Sequence, residues 1–161
     1  KYSIQPFWRI AMDISRRDMM VLTGAVVAGC CAGCGGPARL DKAPETVDAG
    51  PVTQWGSAGV DPRFKDSFGF YMISDGTKVY AQSAQCTHRA CTVDVANEGF
   101  ECPCHGSKFA KDGHVVDGPA KKPLPRLAID VDGSGHLIVH PHKRLTEDQY
   151  GSPVGMVSVK A

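Results

Sequence analysis

The chain has 161 residues, which is enough for one ordinary domain and a tail but too few for two domains with separate cores. Its 18 lysines and arginines against 17 aspartates and glutamates give a formal net charge of +1, so the overall charge indicates neither nucleic acid nor an anionic surface as a partner. The 7 cysteines fall into an early group near residue 30 and a later group between residues 86 and 104.

The N-terminal segment, residues 1–34, has the layout of an export signal or membrane anchor. The pair Arg16-Arg17 precedes an uncharged stretch over 19–32, and this arrangement resembles a twin-arginine signal. The stretch is shorter than the roughly 20 apolar residues that span a bilayer, so a permanent transmembrane helix is the weaker interpretation. The letters V-A-G-C that end at Cys30 also resemble a lipobox, which makes this cysteine a lipidation candidate.

Composition suggests how the rest of the chain is divided. Residues 35–55 are rich in Gly, Pro, Ala and Asp without apolar periodicity, and are predicted to form a flexible linker. A globular domain is expected over 56–143. Residues 144–161 are weakly patterned and are predicted to form a C-terminal tail or an edge strand.

Short aliphatic and aromatic segments alternate with tight-turn sequences in the globular part. Phe68–Ser74 and Val79–Gln85 flank an Asp-Gly-Thr-Lys turn, which predicts a β-hairpin. Two more hairpins are predicted around the turns at 111–113 and 132–135. No segment here shows a sustained helical period, and 11 prolines argue against long helices. The predicted class is all-β, a small antiparallel sandwich or partly open barrel.

Two short boxes carry the chemistry: Cys86-Thr87-His88-Arg89-Ala90-Cys91 and Cys102-Pro103-Cys104-His105-Gly106-Ser107. Each box sets a cysteine and a histidine two or three residues apart, so two such loops can bring two thiolates to one iron and two imidazoles to another. A tetrahedral zinc site built from the four cysteines is the alternative, although it leaves both histidines without a role. The double motif resembles the Rieske iron-sulfur family, over roughly Phe68 to Val139.

The resemblance implies one 2Fe-2S cluster in a loop subdomain of the β domain, with four ligands: Cys86, His88, Cys102 and His105. The cysteines would bind one iron and the histidines the other. Two thiolates and two neutral imidazoles bring the oxidised cluster to zero net charge, whereas four thiolates would leave it a dianion. Adding an electron is therefore easier, and Rieske potentials lie at roughly −150 to +300 mV against about −400 mV for plant-type ferredoxins.

The same resemblance implies how the loops are held together. Cys91 would pair with Cys104 in a disulfide that joins the two loops, and Gly118-Pro119 would belong to a third loop that covers the cluster. A disulfide persists in an oxidising compartment, which agrees with the export signal. The expected location is therefore the periplasmic face of the cytoplasmic membrane.

Three neighbouring residues bear on the potential and on the partner. In high-potential relatives a serine at the position of Ser107 donates a hydrogen bond that raises the potential, and a tyrosine stands where this chain has Phe109. A moderated potential is expected here. Quinol-oxidising relatives have an apolar loop tip where this chain has Arg89, which weakens the link to quinol.

The expected function is one-electron transfer, as a subunit of an oxidoreductase rather than as a complete enzyme. The first hypothesis is the iron-sulfur subunit of a quinol-to-cytochrome oxidoreductase, resembling that of cytochrome bc complexes, with cytochrome partners of b or c type and possible contact with quinol. The alternatives are the small Rieske subunit of a periplasmic molybdenum oxidoreductase, of the arsenite oxidase type, and a stand-alone exported carrier. Nucleic acid is not an expected partner.

Overall fold

The structure is a computed structural model that describes residues 39–97 and 99–159. Within these residues most of the regular structure is β-strand, and the one α-helix, α1, is the single turn Lys65–Phe68. Short 3-10 helices cover Arg39–Lys42, Val52–Trp55 and Glu147–Gln149. The predicted all-β class is confirmed.

The described strands form two antiparallel sheets. Their bounds are β1 (Val47–Pro51), β2 (Gly59–Asp61), β3 (Phe70–Ser74), β4 (Lys78–Ser83), β5 (Asp94–Ala96), β6 (Gly99–Glu101), β7 (Lys108–Ala110), β8 (Val115–Asp117), β9 (Arg126–Val131), β10 (His136–Arg144) and β11 (Val157–Ser158). The larger sheet has the order β1-β10-β9-β4-β3-β2, with β11 also paired to β4, and the smaller has the order β5-β6-β7-β8. The smaller sheet carries the sequence boxes.

The three predicted hairpins are confirmed as β3-β4, β7-β8 and β9-β10. Aspartate side chains close two of the turns. The Asp75 carboxylate accepts hydrogen bonds from the backbone N–H groups of Thr77 and Lys78, and Asp132 accepts from those of Ser134 and His136. These turns therefore owe their shape to a local side chain that the sequence shows.

The segment predicted as a flexible linker differs from that expectation over residues 39–55. Leu40 is buried, and β1 pairs along β10 with Val47 opposite Val139. Val47 and Ala49 face the core while Asp48 between them is exposed, so the segment has the alternation of a half-buried strand. This alternation of buried and exposed residues is short and involves small side chains, so the sequence alone does not reveal a strand here.

The C-terminal segment contains the short strand β11. β11 pairs with β4, with Val157 opposite Val79, and Val159 is buried against the core. The predicted export signal, the Arg16-Arg17 pair and the lipidation candidate Cys30 lie outside the described residues. In the described part of the chain, no helix is long and apolar enough to cross a membrane.

Candidate metal centre

Three loops meet at one end of the smaller sheet. Loop 1 (residues 86–91) lies between β4 and β5, loop 2 (residues 102–107) lies between β6 and β7, and loop 3 (residues 118–125) connects β8 to β9. The strands that carry loops 1 and 2 contribute to one buried cluster that also contains Cys86 and Cys102. The sheet therefore fixes where both loops begin.

Loops 1 and 2 close with the same backbone hydrogen bonds. In loop 1 the Cys86 N–H donates to the Cys91 carbonyl at 2.8 Å, and the Ala90 N–H donates to the Cys86 carbonyl at 2.9 Å. In loop 2 the Cys102 N–H donates to the Ser107 carbonyl at 2.8 Å, and the Gly106 N–H donates to the Cys102 carbonyl at 2.9 Å. Each loop is thus a self-contained turn that begins at a cysteine.

The fifth residue of each loop has a left-handed backbone. Gly106 has φ of 70°, which glycine adopts without a steric penalty. Ala90 has φ of 58°, the one positive value at a residue other than glycine in the described chain. A left-handed backbone costs an L residue about 1–2 kcal/mol, so loop 1 holds a strain that loop 2 lacks.

A disulfide between Cys91 and Cys104 joins loop 1 to loop 2, with the two Cα atoms 6.5 Å apart. This confirms the predicted disulfide. The sulfurs of Cys91, Cys102 and Cys104 lie within 4.8 Å of one another, a spacing that suits a metal ion. Because two of these sulfurs are bonded to each other, the set of four thiolates that zinc would need is not available.

Cys86 and Cys102 are outside the disulfide and buried, with 2% and 1% exposure. Their thiols are in hydrogen-bond contact with each other, and the backbone N–H groups of Cys104 and His105 point to the Cys102 sulfur. Burial raises the pKa of the Cys102 thiol, and the neighbouring Cys86 thiol raises it further, against the two N–H donors. The N–H groups are placed to stabilise a thiolate.

The imidazoles of His88 and His105 lie beside each other, with ring centroids 4.8 Å apart and ring planes perpendicular. Nδ1 of His88 is buried and has no hydrogen-bond partner among the described residues. Burial lowers the pKa of His88, and the charges of His105 and Arg89 lower it further, so the neutral imidazole is favoured. A buried, neutral nitrogen without a partner is suited to ligate a metal ion.

The donor set therefore fits a Rieske cluster. Two buried thiols outside the disulfide are in contact with each other, and the buried Nδ1 of His88, without a partner among the described residues, belongs to one of two adjacent imidazoles. Soft thiolates and imidazoles are the ligands that such a cluster takes. The structure thus places the two predicted cysteine ligands in contact with each other, and the two predicted histidine ligands beside each other.

Loop 3 packs on loop 2 through a glycine. Gly118 has φ of 93°, and a Cβ built on it would lie 2.7 Å from the Ser107 Cα and 2.8 Å from the Gly106 carbonyl oxygen. The Ala120 N–H donates to the fully buried Ser107 hydroxyl at 3.2 Å. Pro119, between these contacts, is partly buried. The predicted third loop therefore lies against loop 2.

Phe109 is buried in β7 opposite Phe100 of β6, and both belong to the buried cluster that contains the two free cysteines. Its ring carries no hydrogen-bond donor. The position expected to tune the potential is therefore filled by a purely apolar group.

Sequence reasoning missed two residues at the edge of the site. The Thr87 hydroxyl donates to the Lys122 carbonyl at 2.6 Å, and the Arg144 guanidinium donates to the Gln85 side chain. Lys122 and Arg144 come from loop 3 and from the end of β10, far along the chain from loop 1. Only the long-range register of the sheet places them here, and no local motif signals it.

The comparisons agree with this geometry. Residues 46–128 match the Rieske [2Fe-2S] domain. The chloroplastic cytochrome b6-f complex iron-sulfur subunit of Bigelowiella natans is 50% identical over 77 residues, covering 44% of this chain and 30% of that protein. The carotenoid phi-ring synthase of Chlorobaculum tepidum is 44% identical over 66 residues, covering 40% of this chain and 10% of that protein.

Among solved structures, the cyanobacterial plasma membrane Rieske protein PetC3 from Synechocystis PCC 6803 has 32% sequence identity and a TM-score of 0.40, covering 58% of this chain and 97% of that chain. The match to the two curated relatives spans less than a third of the length of each, 30% and 10%. The family match itself covers more than half of the chain, over 46–128. With the paired loops and their donor set, it shows that the chain belongs to the Rieske [2Fe-2S] domain family, whose cofactor is one 2Fe-2S cluster.

Proposed function

We propose that this chain transfers single electrons through a 2Fe-2S cluster held by Cys86, His88, Cys102 and His105, as the iron-sulfur subunit of a quinol-to-cytochrome oxidoreductase. The observation that carries the proposal is the convergence of two buried free thiols and two adjacent imidazoles on loops tied by a disulfide. When bound, the cluster supplies a one-electron redox couple.

The protein contributes charge, burial and access. The N–H groups that point to the Cys102 sulfur stabilise negative charge on it, and burial of both thiols keeps water away. His105 is exposed, so a redox partner can approach the site from that side. The chain thus insulates one side of the centre and opens the other.

The relative from Bigelowiella natans is named as a subunit of a cytochrome b6-f complex, which supports a cytochrome as partner. Arg89 is exposed at the tip of loop 1 and presents a cation there. A quinol pocket is better matched by an apolar tip, so Arg89 weighs against a quinol site and leaves a second candidate, the Rieske subunit of a periplasmic molybdenum oxidoreductase. The buried Phe109 agrees with that candidate as well.

The disulfide supports a location outside the cytoplasm, because thiols are kept reduced inside it. Together with the twin-arginine resemblance around Arg16-Arg17, it supports export to the periplasmic face of the cytoplasmic membrane, with anchoring through the N-terminal segment or a lipid on Cys30 as the proposed attachment.

The cluster proposal is tested by visible absorption and by electron paramagnetic resonance of the reduced full chain. The wild type should be coloured and show a rhombic signal, and His88→Ala and Cys86→Ser should each abolish it. His114→Ala is the matched control, since His114 is exposed on the β7-β8 turn and pairs with Asp112. Retained signals in both site variants would refute the ligand assignment.

The choice between complexes is tested in membranes of cells with and without the gene. Loss of quinol-dependent cytochrome reduction would support the first candidate. Unchanged quinol oxidation, with loss of a molybdenum-dependent oxidation, would support the second.

A further inference from the structure

A surface pocket with a volume of about 390 Å³ adjoins loop 1. Three cationic side chains line it: Arg89 of loop 1, Lys122 of loop 3 and Arg144 at the end of β10. All three are exposed. We call this the cationic hollow. It gathers charge from three segments that are distant in sequence, so it is a product of the fold.

The positive charge in the cationic hollow is not neutralised by the protein. None of its lining residues is acidic. Among the ion pairs that the structure records in the described part of the chain, none involves Arg89, Lys122 or Arg144. Arg144 does have a partner, the neutral side-chain oxygen of Gln85, which orients its guanidinium without cancelling its charge.

The hollow also touches the proposed cluster site. Cys86 and His88 are among its lining residues, and so is Thr87 between them. A molecule seated in the hollow therefore contacts the loop that carries half of the proposed ligands. This places charge recognition and electron exchange at one surface.

We propose that the cationic hollow docks a redox protein through an acidic surface patch. The inference rests on the proposed electron-transfer function and names the chemistry of its partner. The net charge of the whole chain is only +1, so the attraction must come from local charge rather than from the overall balance. Clustered surface charges steer a complementary partner and raise association rates by roughly 10- to 1,000-fold at low salt. A concave surface suits a protruding acidic patch better than a flat membrane face.

The test uses two probes with the same haem and opposite surface charge: a lysine-rich c-type cytochrome, and the same cytochrome after succinylation of its lysines. The reduced, cluster-loaded full chain is mixed with each oxidised probe in a stopped-flow instrument at low and high salt. Binding of the oxidised chain to each probe is measured separately, as a readout that needs no electron transfer.

The variant is Lys122→Glu with Arg144→Glu. Its control is Lys78→Glu with Lys111→Glu, which changes the net charge equally, and Lys111 lines a cleft with Asp75 of the turn that precedes β4. Lys78 begins β4, and loop 1 follows the opposite end of that strand, so about 20 Å of extended chain separates Lys78 from the hollow. That distance exceeds the Debye length of about 10 Å at 0.1 M salt.

The wild type is expected to react with the succinylated probe at least about 10-fold faster than with the basic probe, and to lose this preference at high salt. The hollow variant should invert the preference and bind the succinylated probe at least about 10-fold more weakly, while the control keeps the wild-type pattern.

Equal effects of both double variants would overturn the inference, and so would a wild type that reacts equally fast with both probes. A variant that loses only its binding to phosphatidylglycerol vesicles would overturn it in favour of a membrane contact. A chain that reduces neither cytochrome nor ferricyanide would instead refute the proposed function.

Discussion

Gly118 lies so close to Ser107 that a Cβ on the glycine would come within 2.7 Å of the Ser107 Cα. A contact below 3 Å with backbone atoms cannot be relieved by rotating a side chain. Loop 3 therefore reaches loop 2 only because residue 118 has no side chain.

Gly118→Ala is expected to push loop 3 off loop 2, and to weaken the Ala120 hydrogen bond to Ser107. Gly135→Ala is the control, because Gly135 has a similar φ of 82° but a Cβ added to it would meet no atom within 4 Å. Both variants should lose about 1 kcal/mol from left-handed strain, and Gly118→Ala should lose a further 1–3 kcal/mol. Urea unfolding measures the free energy of unfolding of each variant. Equal losses in the two variants would show that the close contact of loop 3 with loop 2 does not contribute to stability.

Ala90→Gly should stabilise the protein, since glycine removes the steric penalty of a left-handed backbone at φ of 58°. The gain is about 1–2 kcal/mol, reduced by the roughly 0.5–1 kcal/mol of extra chain entropy that glycine loses on folding. Ala96→Gly in β5, where φ is not positive, should destabilise instead. Thermal unfolding of the two variants should therefore shift in opposite directions, and shifts of the same sign would contradict the strain argument.

Removing the disulfide by Cys91→Ser with Cys104→Ser should lower the free energy of unfolding by about 3 kcal/mol, the chain-entropy value for a loop with a separation of 13 residues. The cluster signal should then be lost at lower temperature than in the wild type, because loops 1 and 2 separate more easily. Treating the wild type with a reductant should give the same shift, and should leave the double variant unchanged. A reductant-sensitive double variant would point to a different reducible group.

The pair His136–Asp48, joined at 2.9 Å across β10 and β1, should make stability depend on pH. The hydrogen bond to Asp48 raises the pKa of His136, and its contribution is full below about pH 6.5 and is lost as pH rises through the raised value. The hydrogen bond to His136 lowers the pKa of Asp48, and its contribution is full above about pH 4 and is lost in acid.

Asp48→Asn should therefore be most destabilising between about pH 4 and 6.5 and less so at pH 8.5. Both side chains are at the surface, so the effect should also shrink in high salt. Unfolding midpoints of the variant and the wild type, compared at pH 5.5 and 8.5, measure it. A difference that does not change with pH would contradict the titration of this pair as its cause.

Phe109→Tyr should raise the reduction potential if the new hydroxyl donates to a ligand sulfur. One such bond is worth about 1 kcal/mol, or roughly 40 mV for a single electron. Phe68→Tyr is the control, because Phe68 packs in the other hydrophobic cluster, away from the free cysteines. Potentiometric titration measures the midpoint potential of each variant. An unchanged midpoint potential in Phe109→Tyr would contradict the idea that a missing hydroxyl donor at this position lowers the potential.

The sequence predicted the elements whose signals are local. The β3-β4 hairpin follows from its turn, where Asp75 caps the backbone of Thr77, and the two boxes follow from their cysteine and histidine spacing. β1 was missed because Val47 and Ala49 are buried by pairing with β10, a contact between distant segments. β5 and β6 have three residues each, too few to show a period. The hollow was missed for the same reason as β1, since Lys122 and Arg144 meet loop 1 only in the fold.

The repeated hydrogen-bond pattern of loops 1 and 2 bears on the order of assembly. Under the proposed twin-arginine route, the cofactor enters in the cytoplasm, where Cys91 and Cys104 stay reduced, and the disulfide forms only after the folded chain has crossed. The backbone hydrogen bonds from Cys86 to Cys91 and from Cys102 to Ser107 must then hold loops 1 and 2 in shape, without the disulfide, while the cofactor is inserted. On that proposed route, the disulfide forms after the cofactor is already in place.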